Sequence, residues 1–346
     1  MLESQSFITL STGEKVEVAV INCPDLTWAE PIEKLLAYKG EPWNWQNSQF
    51  LREELGFETR FYVLHRNGVP FANVLLSEGH GLGIVNHVWT VPEDRQKSAS
   101  KSLVRVVMDD FKKRDGQALF LQAGYAEVAY FMYQKFGFES IEPQSGYMDW
   151  YAKDKTQFLQ KYFAVGETRL QPLQWKHWLS IQPLLQCEDD CITRIVALKH
   201  VGRRTTEGPF LSLLQDELAR RAKGENPRAY VLETTPSAIV GFAMWSWHPF
   251  WPDTCLLDVY CHPSYWDKAK ELLEGLELPD ADRYLAYADV LCEAKQKALR
   301  DAGFKQTLLL KNFVANDWAR SSFIDVVSFE KYSLKVYSDP KSFFYP

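Results

Sequence analysis

The stretch Val91–Leu103, VPEDRQKSASKSL, decides the fold because it marks the passage from a strand to a helix. The apolar run NHVWTVP ends at Pro92 and predicts a strand, and KSLVRVVMDDF has apolar residues at helical spacing. At such a helix start, four N–H groups lack intrahelical partners and the helix dipole is positive. The stretch therefore predicts an anion site suited to a pyrophosphate. The alternative is a solvated basic helix start capped by Ser98 or Ser100.

The positive charge of this stretch is a local exception in an acidic chain. The 346 residues carry 39 Lys and Arg against 45 Asp and Glu, which gives a formal net charge of −6. An acidic total disfavours nucleic acid and anionic membranes as partners, because both require a basic surface. Arg95, Lys97 and Lys101 nevertheless place three cations together at the predicted helix start.

The order of elements around this stretch recurs in the second half of the chain. Pro92 follows Phe71, and Pro263 follows Phe242, by 21 residues in each case. Each proline ends an apolar run, and a helical stretch, a short strand, a second helix and a Gly-Phe dipeptide follow it. This self-similarity predicts a duplication.

The predicted fold class is α/β of the α+β type, with two tandem domains at residues 1–157 and 158–346. Each repeat is predicted as a strand, one or two helices and three antiparallel strands, followed by a helix, a strand, a helix and a strand. Such an order gives a mixed central β-sheet flanked by helices. The length of the chain also favours two domains.

Cysteine usage and hydropathy predict an ordinary cytoplasmic protein. The six cysteines are spread over a long chain, so free thiols are expected in place of a disulfide framework. The N-terminal residues have no apolar core of a signal peptide, and the sequence has no run of 18 apolar residues. We expect no metal cofactor, and a monomer or a homodimer.

Two motifs in the first repeat resemble the general N-acetyltransferase (GNAT) family. The family's pyrophosphate loop reads roughly R/Q-x-x-G-x-G/A, and Arg95–Ser100 lies in that place with serine at both usual glycine positions. The family's second signature, Ala-x-x-apolar-Tyr-x-x-apolar-Gly-Phe, resembles Ala129–Phe138. The resemblance implies tandem GNAT-like domains, with acetyl-CoA or another acyl-CoA as co-substrate. It covers about residues 58–150 well, and about 228–314 with weaker motifs.

The resemblance also implies which residues hold the cofactor. The strand before the loop would run beside the thioester, and its backbone could pair with the pantetheine amides. Family members often have Asn at the place of Ala126, so one cofactor contact is missing. The implied cofactor-binding residues are Trp89, Thr90, Val91, Arg95, Gln96, Lys97, Ser98, Ala99, Ser100 and Lys101.

For catalysis, the resemblance implies that Tyr133 protonates the departing thiolate. Amine attack on a thioester expels a thiolate, so an acid near that leaving group is required. His87 is the leading general base because imidazole titrates near neutral pH. Glu78, His80, Glu127 and water compete for that role. Structural alternatives also stand: a tyrosine packed on its helix face, and a satisfied histidine within a strand.

The second repeat departs further from the family. The sequence after Pro263 lacks the small-residue turn, and Leu299 lies at the place of Tyr133. A leucine donates no proton, so this domain is predicted to be degenerate. The leading function is acetyl-CoA-dependent N-acetylation of a primary amine on a small molecule or peptide, by direct attack on the thioester. The alternatives are a non-catalytic acyl-CoA-binding or sensing protein and a tandem scaffold.

Overall fold

The computed structural model describes residues 6–235 and 237–333, and the chain divides into two compact units. The first unit consists of Met1–Phe158, Trp178–Ser180 and Thr205–Ser212, and the second of Leu159–His177, Ile181–Arg204 and Leu213–Pro346. Two short segments beyond residue 157 therefore belong to the first unit. Residues 1–5 and 334–346, at the ends of the two predicted domains, lie outside the described residues.

The first unit is built on an eight-stranded mixed sheet in the order β1-β2-β3-β4-β5-β6-β8-β7. Strands β5 and β6 form the one parallel pair among its described strands, and the other neighbours are antiparallel. The strands are β1 (Ser6–Thr9), β2 (Lys15–Asn22), β3 (Glu58–Arg66), β4 (Val69–Gly79), β5 (Leu82–Thr90), β6 (Ala118–Gln122), β7 (Glu139–Ser140) and β8 (Tyr147–Tyr151). The helices are α1 (Leu26–Leu36), α2 (Trp43–Arg52), α3 (Ala99–Lys113) and α4 (Val128–Gln134), and α5 (Lys155–Tyr162) crosses the boundary between the units.

Helix α3 forms because its apolar residues recur at helical spacing and face the sheet. Leu103, Val107 and Phe111 are buried on this helix and pack in one apolar cluster with Val74 and Leu76 of β4. Burying each such side chain contributes about 1.5–3 kcal/mol. This packing holds the N-terminus of α3 at the end of β5.

Helix α4 is shorter than the sequence pattern predicts. The apolar spacing from Tyr125 to Phe136 predicts a helix over this stretch, but both residues lie outside α4 and Tyr125 is exposed. The helix ends at Gln134, and the turn that closes it contains Gly137, whose φ is +88°. The N–H of Phe138 donates to the carbonyl of Tyr133, a helix ending that needs a left-handed residue such as glycine. This cap fixes the direction of the chain after Tyr133.

The second unit repeats the architecture with a seven-stranded sheet in the order β16-β17-β15-β14-β13-β12-β9. Its one parallel pair among the described strands is β14 with β15. The strands are β9 (Thr168–Pro172), β10 (Thr193–Ile195), β11 (His200–Val201), β12 (Ala229–Thr234), β13 (Ile239–Trp247), β14 (Thr254–Cys261), β15 (Arg283–Asp289), β16 (Lys305–Ala315) and β17 (Phe323–Tyr332). The helices are α6 (Trp175–Ser180), α7 (Gln182–Leu185), α8 (Pro209–Ala222), α9 (Ala269–Gly275) and α10 (Glu293–Asp301), with some residues of α6 and α8 in the first unit. The predicted fold class, two mixed sheets flanked by helices, is confirmed.

The prediction that all six cysteines are free is wrong at two positions. Cys191 and Cys292 form a disulfide with a Cα–Cα distance of 5.2 Å, within the ordinary range for such a bond. The two residues are 101 positions apart, so their spacing gave no sign of pairing. Among the described residues, no helix is long and apolar enough to cross a membrane.

Candidate functional site

The site of the first unit begins where β5 and β6 separate. The two strands pair at Leu82 with Ala118, Gly83 with Leu119 and Ile84 with Phe120, and this pairing ends there. Strand β5 continues to Thr90 while it stays paired with β4 on its other side. The second half of β5 therefore presents a backbone edge that β6 does not cover, and the two strands form a wedge that opens towards the N-terminus of α3.

A β-bulge in β5 shapes the wall of this wedge. The register with β4 shifts between Asn73–Trp89 and Leu75–Asn86, so an extra residue is inserted in β5. His87 lies in the bulge with φ of +51°, and the Asn73 side chain donates a hydrogen bond of 2.9 Å to its carbonyl oxygen. Bulges re-aim side chains and backbone groups, and they concentrate next to active sites.

The loop between β5 and α3 contains two non-glycine residues in the left-handed backbone conformation. Gln96 and Ser98 have φ values of +63° and +66°, so Ser98 occupies a left-handed conformation without being glycine. Ion pairs hold this loop. Arg66 pairs with Asp94 at 2.9 Å, and Lys97 pairs with the same carboxylate at 2.8 Å. Arg66 and Lys97 together lower the pKa of Asp94 to about 2.

The start of α3 has the free donors that an anion site requires. The Ser98 side chain makes no capping hydrogen bond with any described residue, and the Ser100 hydroxyl bonds to Thr90 Oγ1 at 2.7 Å. The capped helix start that the sequence left as an alternative is therefore not what the structure has. Lys97 is committed to Asp94, whereas Arg95 and Lys101 are exposed at the helix start.

Trp89, near the end of β5, contacts residues from two other parts of the first unit. Its ring stacks on Tyr38 at a centroid distance of 3.8 Å, and the guanidinium of Arg95 lies 4.6 Å from the Trp89 centroid. Arg95 Nε also donates to the carbonyl of Thr90 at 3.2 Å. These contacts bring Trp89, Thr90 and Arg95 of the predicted cofactor set together. Val91 follows, and its N–H donates to Phe71 at 2.9 Å.

Tyr133 lies on α4 with its ring packed in the core of the first unit. It is 4% exposed, and its ring contacts Phe138 at a centroid distance of 5.7 Å. Burial, with a smaller contribution from the charge of Glu207, raises the pKa of Tyr133 well above its usual value. A phenol in this state stays protonated at neutral pH, which is the form that an acid must have.

His87 is buried and held in one orientation. Its Nε2 lies 2.8 Å from Gln46 Oε1, to which it donates in the neutral tautomer that this contact favours. Its Nδ1 has no partner among the described residues. Burial, with the charge of Lys39, lowers the pKa of His87 well below its ordinary value. The imidazole therefore has little tendency to take a proton from an ammonium.

The competing bases named from the sequence are placed less favourably. Glu78 is buried in ion pairs with Arg60 and with Arg114, so its carboxylate is already committed. His80 lies in the exposed turn between β4 and β5, and Glu127 is exposed just before α4.

Sequence reasoning missed Glu207, a carboxylate that the fold brings to this site. It belongs to the short segment Thr205–Ser212 of the first unit. Burial raises the pKa of Glu207 to about 7, against the opposing effects of the Lys39 charge and a polar contact with Asn86. Glu207 lies 121 positions after Asn86, and no motif surrounds it, so the sequence held no signal for it.

In the second unit the equivalent wedge is filled by the chain itself. Strands β14 and β15 also separate, after the pair Leu256 with Leu285. Asp258 on β14 accepts hydrogen bonds from the N–H groups of Val196 and Ala197 at 2.8 and 2.9 Å. Asp289, at the end of β15, accepts from the N–H groups of Ile192 and Thr193. The segment 192–197 thus bridges the two diverging strands.

A buried lysine also binds the segment 192–197. Lys295 of α10 is 1% exposed and donates to the carbonyl of Thr193 at 2.6 Å. Asp258 and Asp289 are the acidic groups that act most strongly on its charge. The disulfide Cys191–Cys292 joins the same segment to the start of α10. The hydrogen bond of Lys295 and the disulfide both hold the segment 192–197 in the unit whose sequence motifs are the weaker ones.

Among known proteins, this chain is similar to solved structures, and the similarity is one of fold. No family model matches the chain, and no curated protein matches it. Similar solved structures include yncA of Salmonella typhimurium, provisionally named an acetyltransferase and solved with acetyl-CoA, at 18% identity and a TM-score of 0.36, covering 48% of this chain and 94% of that one. An N-acetyltransferase of Staphylococcus aureus Mu50 has 17% identity and a TM-score of 0.36, covering 48% of this chain and 99% of that one. A GNAT-family acetyltransferase of Bacillus anthracis has 12% identity and a TM-score of 0.34, covering 48% and 95%. At these identities and TM-scores no activity transfers to this chain.

Proposed function

We propose that this protein is an acetyl-CoA-dependent N-acetyltransferase that acetylates a primary amine of a small molecule or peptide. The observation that carries the proposal is the wedge between β5 and β6, which opens onto the uncapped start of α3. A strand edge and a helix start in this arrangement suit an extended amide chain that ends in a pyrophosphate.

The cofactor-binding residues have distinct roles in this proposal. The free N–H groups at the start of α3, from Ala99 to Lys101, donate to the pyrophosphate. Arg95 and Lys101 add positive charge at the same place. The exposed edge of β5 near Trp89 and Thr90 pairs with the pantetheine amides. Acetyl-CoA supplies the activated acetyl group, and the protein orients it.

The chemical step is attack of the neutral amine on the thioester carbonyl. A C–N bond forms, the C–S bond breaks, the nitrogen releases one proton, and the thiolate of CoA takes one. Tyr133 supplies that proton because its buried hydroxyl stays protonated at neutral pH.

The test combines calorimetry with acetyl-CoA and a thiol-release assay on a panel of small primary amines and short peptides. We expect Tyr133→Phe to bind acetyl-CoA as the wild type does but to transfer about 10²-fold more slowly. Tyr130→Phe is the matched control, since Tyr130 lies one turn earlier on α4 and bonds to Ser140 at 2.8 Å. An unchanged thiol-release rate in Tyr133→Phe contradicts the role of the tyrosine, and no binding at millimolar acetyl-CoA contradicts the whole proposal.

The deep burial of Tyr133 favours one second candidate, a non-catalytic acyl-CoA-binding protein. A phenol that is 4% exposed must reach the thiolate for catalysis, whereas binding requires the wedge and the α3 start alone. Tight acetyl-CoA binding with no thiol release for any amine in the panel would support this candidate.

A further inference from the structure

The segment that carries Glu207 is fixed to the first unit by a buried tryptophan. Trp178, which is fully buried, donates its indole N–H to the carbonyl of Thr206 at 3.2 Å. Its ring packs against Phe50 of α2 at 5.7 Å and against Phe57 at 5.9 Å. Because Thr206 directly precedes Glu207, these contacts set where the carboxylate lies.

The surroundings of Glu207 are the part of the wedge where an acetyl group would lie. Asn86, whose amide lies near enough to Glu207 to favour its charged form, makes no side-chain hydrogen bond to any described residue. It is two residues past Ile84, the last residue of β5 that pairs with β6. The charged and titratable groups that act on this region are Lys39, next to Tyr38 on the Trp89 ring, and His87 and Tyr133. Glu207 therefore shares its environment with the proposed acid.

Unlike the carboxylate of Glu78, the carboxylate of Glu207 can accept a proton without breaking an ion pair. Among the described residues it forms no ion pair within 4 Å, in contrast to Glu78. It is half-buried, so an acceptor can reach it. Desolvation brings its pKa to about 7, which suits a base that works near neutral pH.

We propose that Glu207 is the general base of the first unit and selects acceptors that arrive as cationic primary amines. This inference rests on the proposed N-acetyltransferase function. The ammonium of the acceptor binds at the Glu207 carboxylate and gives it one proton, which later passes to solvent. The free amine then attacks the thioester carbonyl. The nitrogen loses a second proton as the amide forms, which balances the proton that Tyr133 gives to the thiolate and later recovers.

The decisive variant is Glu207→Gln, which keeps the size of the side chain and removes its basicity. The matched control is Glu54→Gln, because Glu54 is an exposed carboxylate after α2. For each protein we would measure kcat/KM from pH 5 to 9 with acetyl-CoA and the amine that the wild type acetylates fastest in the panel. Acetyl-CoA calorimetry and thermal unfolding of each variant show whether the fold and the cofactor site are intact.

For the wild type, kcat/KM should rise with pH through about 7 as Glu207 loses its proton. Glu207→Gln should reduce kcat/KM by about 10²–10⁴-fold and abolish that rise, with acetyl-CoA binding unchanged. Lys39→Met should move the rise to higher pH, because the Lys39 charge lowers the pKa of Glu207. A purely structural role would not shift the profile in this way.

Two results would overturn the inference, and they differ from failure of the proposed function. If the wild type acetylates amines and Glu207→Gln keeps its rate and pH profile, Glu207 is not the base. If Glu207→Gln loses acetyl-CoA binding or unfolds, its rate is not interpretable by itself; an unmoved profile in Lys39→Met then refutes the role. If the wild type neither binds acetyl-CoA nor releases thiol, the N-acetyltransferase function itself is refuted.

Discussion

Replacing Ser98 tests whether the loop before α3 needs a left-handed residue or a serine hydroxyl. Ser98 has φ of +66° and ψ of +13°, and its side chain caps no N–H among the described residues. A left-handed conformation costs a residue with a Cβ about 1–2 kcal/mol. Glycine avoids that cost but loses about 0.5–1 kcal/mol through the greater freedom of its unfolded chain. Ser98→Gly should therefore change the free energy of unfolding by between zero and about 1.5 kcal/mol, in the stabilising direction.

Two further variants separate backbone from hydroxyl effects. Ser98→Ala keeps the Cβ and removes the hydroxyl, so its free energy of unfolding should lie within about 0.5 kcal/mol of the wild type. Ser98→Val adds a β-branched side chain at a positive φ and should lose about 1–3 kcal/mol. It should also weaken acetyl-CoA binding, because the loop amides and the helix start shift with the backbone.

The assays are equilibrium urea unfolding and calorimetry with acetyl-CoA on all four proteins. The expected order of stability is Ser98→Gly at or above the wild type, Ser98→Ala close to it, and Ser98→Val below it. If Ser98→Ala loses as much stability or affinity as Ser98→Val, the hydroxyl matters and the conformational argument is refuted. A loss of more than about 1 kcal/mol in Ser98→Gly would refute it as well.

Three other predictions follow from the charged groups. Asp94→Asn should cost about 1–2 kcal/mol in urea unfolding, a value reduced for the solvent exposure of Arg66. Because the pKa of Asp94 is lowered to about 2 in the folded state, its stabilisation is present above about pH 4. The wild type should lose this contribution between about pH 4 and pH 2, and Asp94→Asn should lose less over that range; equal losses would contradict the argument. Lys295→Met should destabilise the second unit by about 1–3 kcal/mol, since it leaves the buried carbonyl of Thr193 without its donor. Because segment 192–197 fills the second wedge, calorimetry should give one acetyl-CoA per chain, and a stoichiometry of two would refute the closure.

Local pattern was sufficient to predict the strand, loop and helix on either side of Pro92. The stretch around Pro92 predicted a strand, a loop and a helix, and α3 begins and buries the apolar face that its spacing required. The Gly-Phe dipeptide after α4 predicted its end, since Gly137 is the left-handed residue that closes the helix. These features depend on residues within one or two turns of each other, so sequence spacing records them.

The sequence predicted where the loop before α3 lies, but it did not predict the conformation of Ser98. The position of Ser98 in its motif indicated a place that is usually glycine, and serine there cast doubt on the loop. The structure gives Ser98 a positive φ, with Asp94 and its partners holding the loop that precedes it. Arg66 comes from β3, so that support depended on strand pairing and not on the motif.

The sequence by itself determined two sibling units, each with a mixed sheet, and the passage from β5 through a loop to α3. Only the tertiary structure decided that β5 and β6 separate into a wedge, that residues 192–197 fill the second wedge, and that Glu207 joins the first site. The physical reason is that helices and strands follow local periodicity. Desolvated charges instead depend on contacts between residues about 100 positions apart, as at Thr193 and Lys295. The separation of β5 and β6 depends on where the pairing of two distant strands stops. Such contacts leave no periodic mark in the sequence.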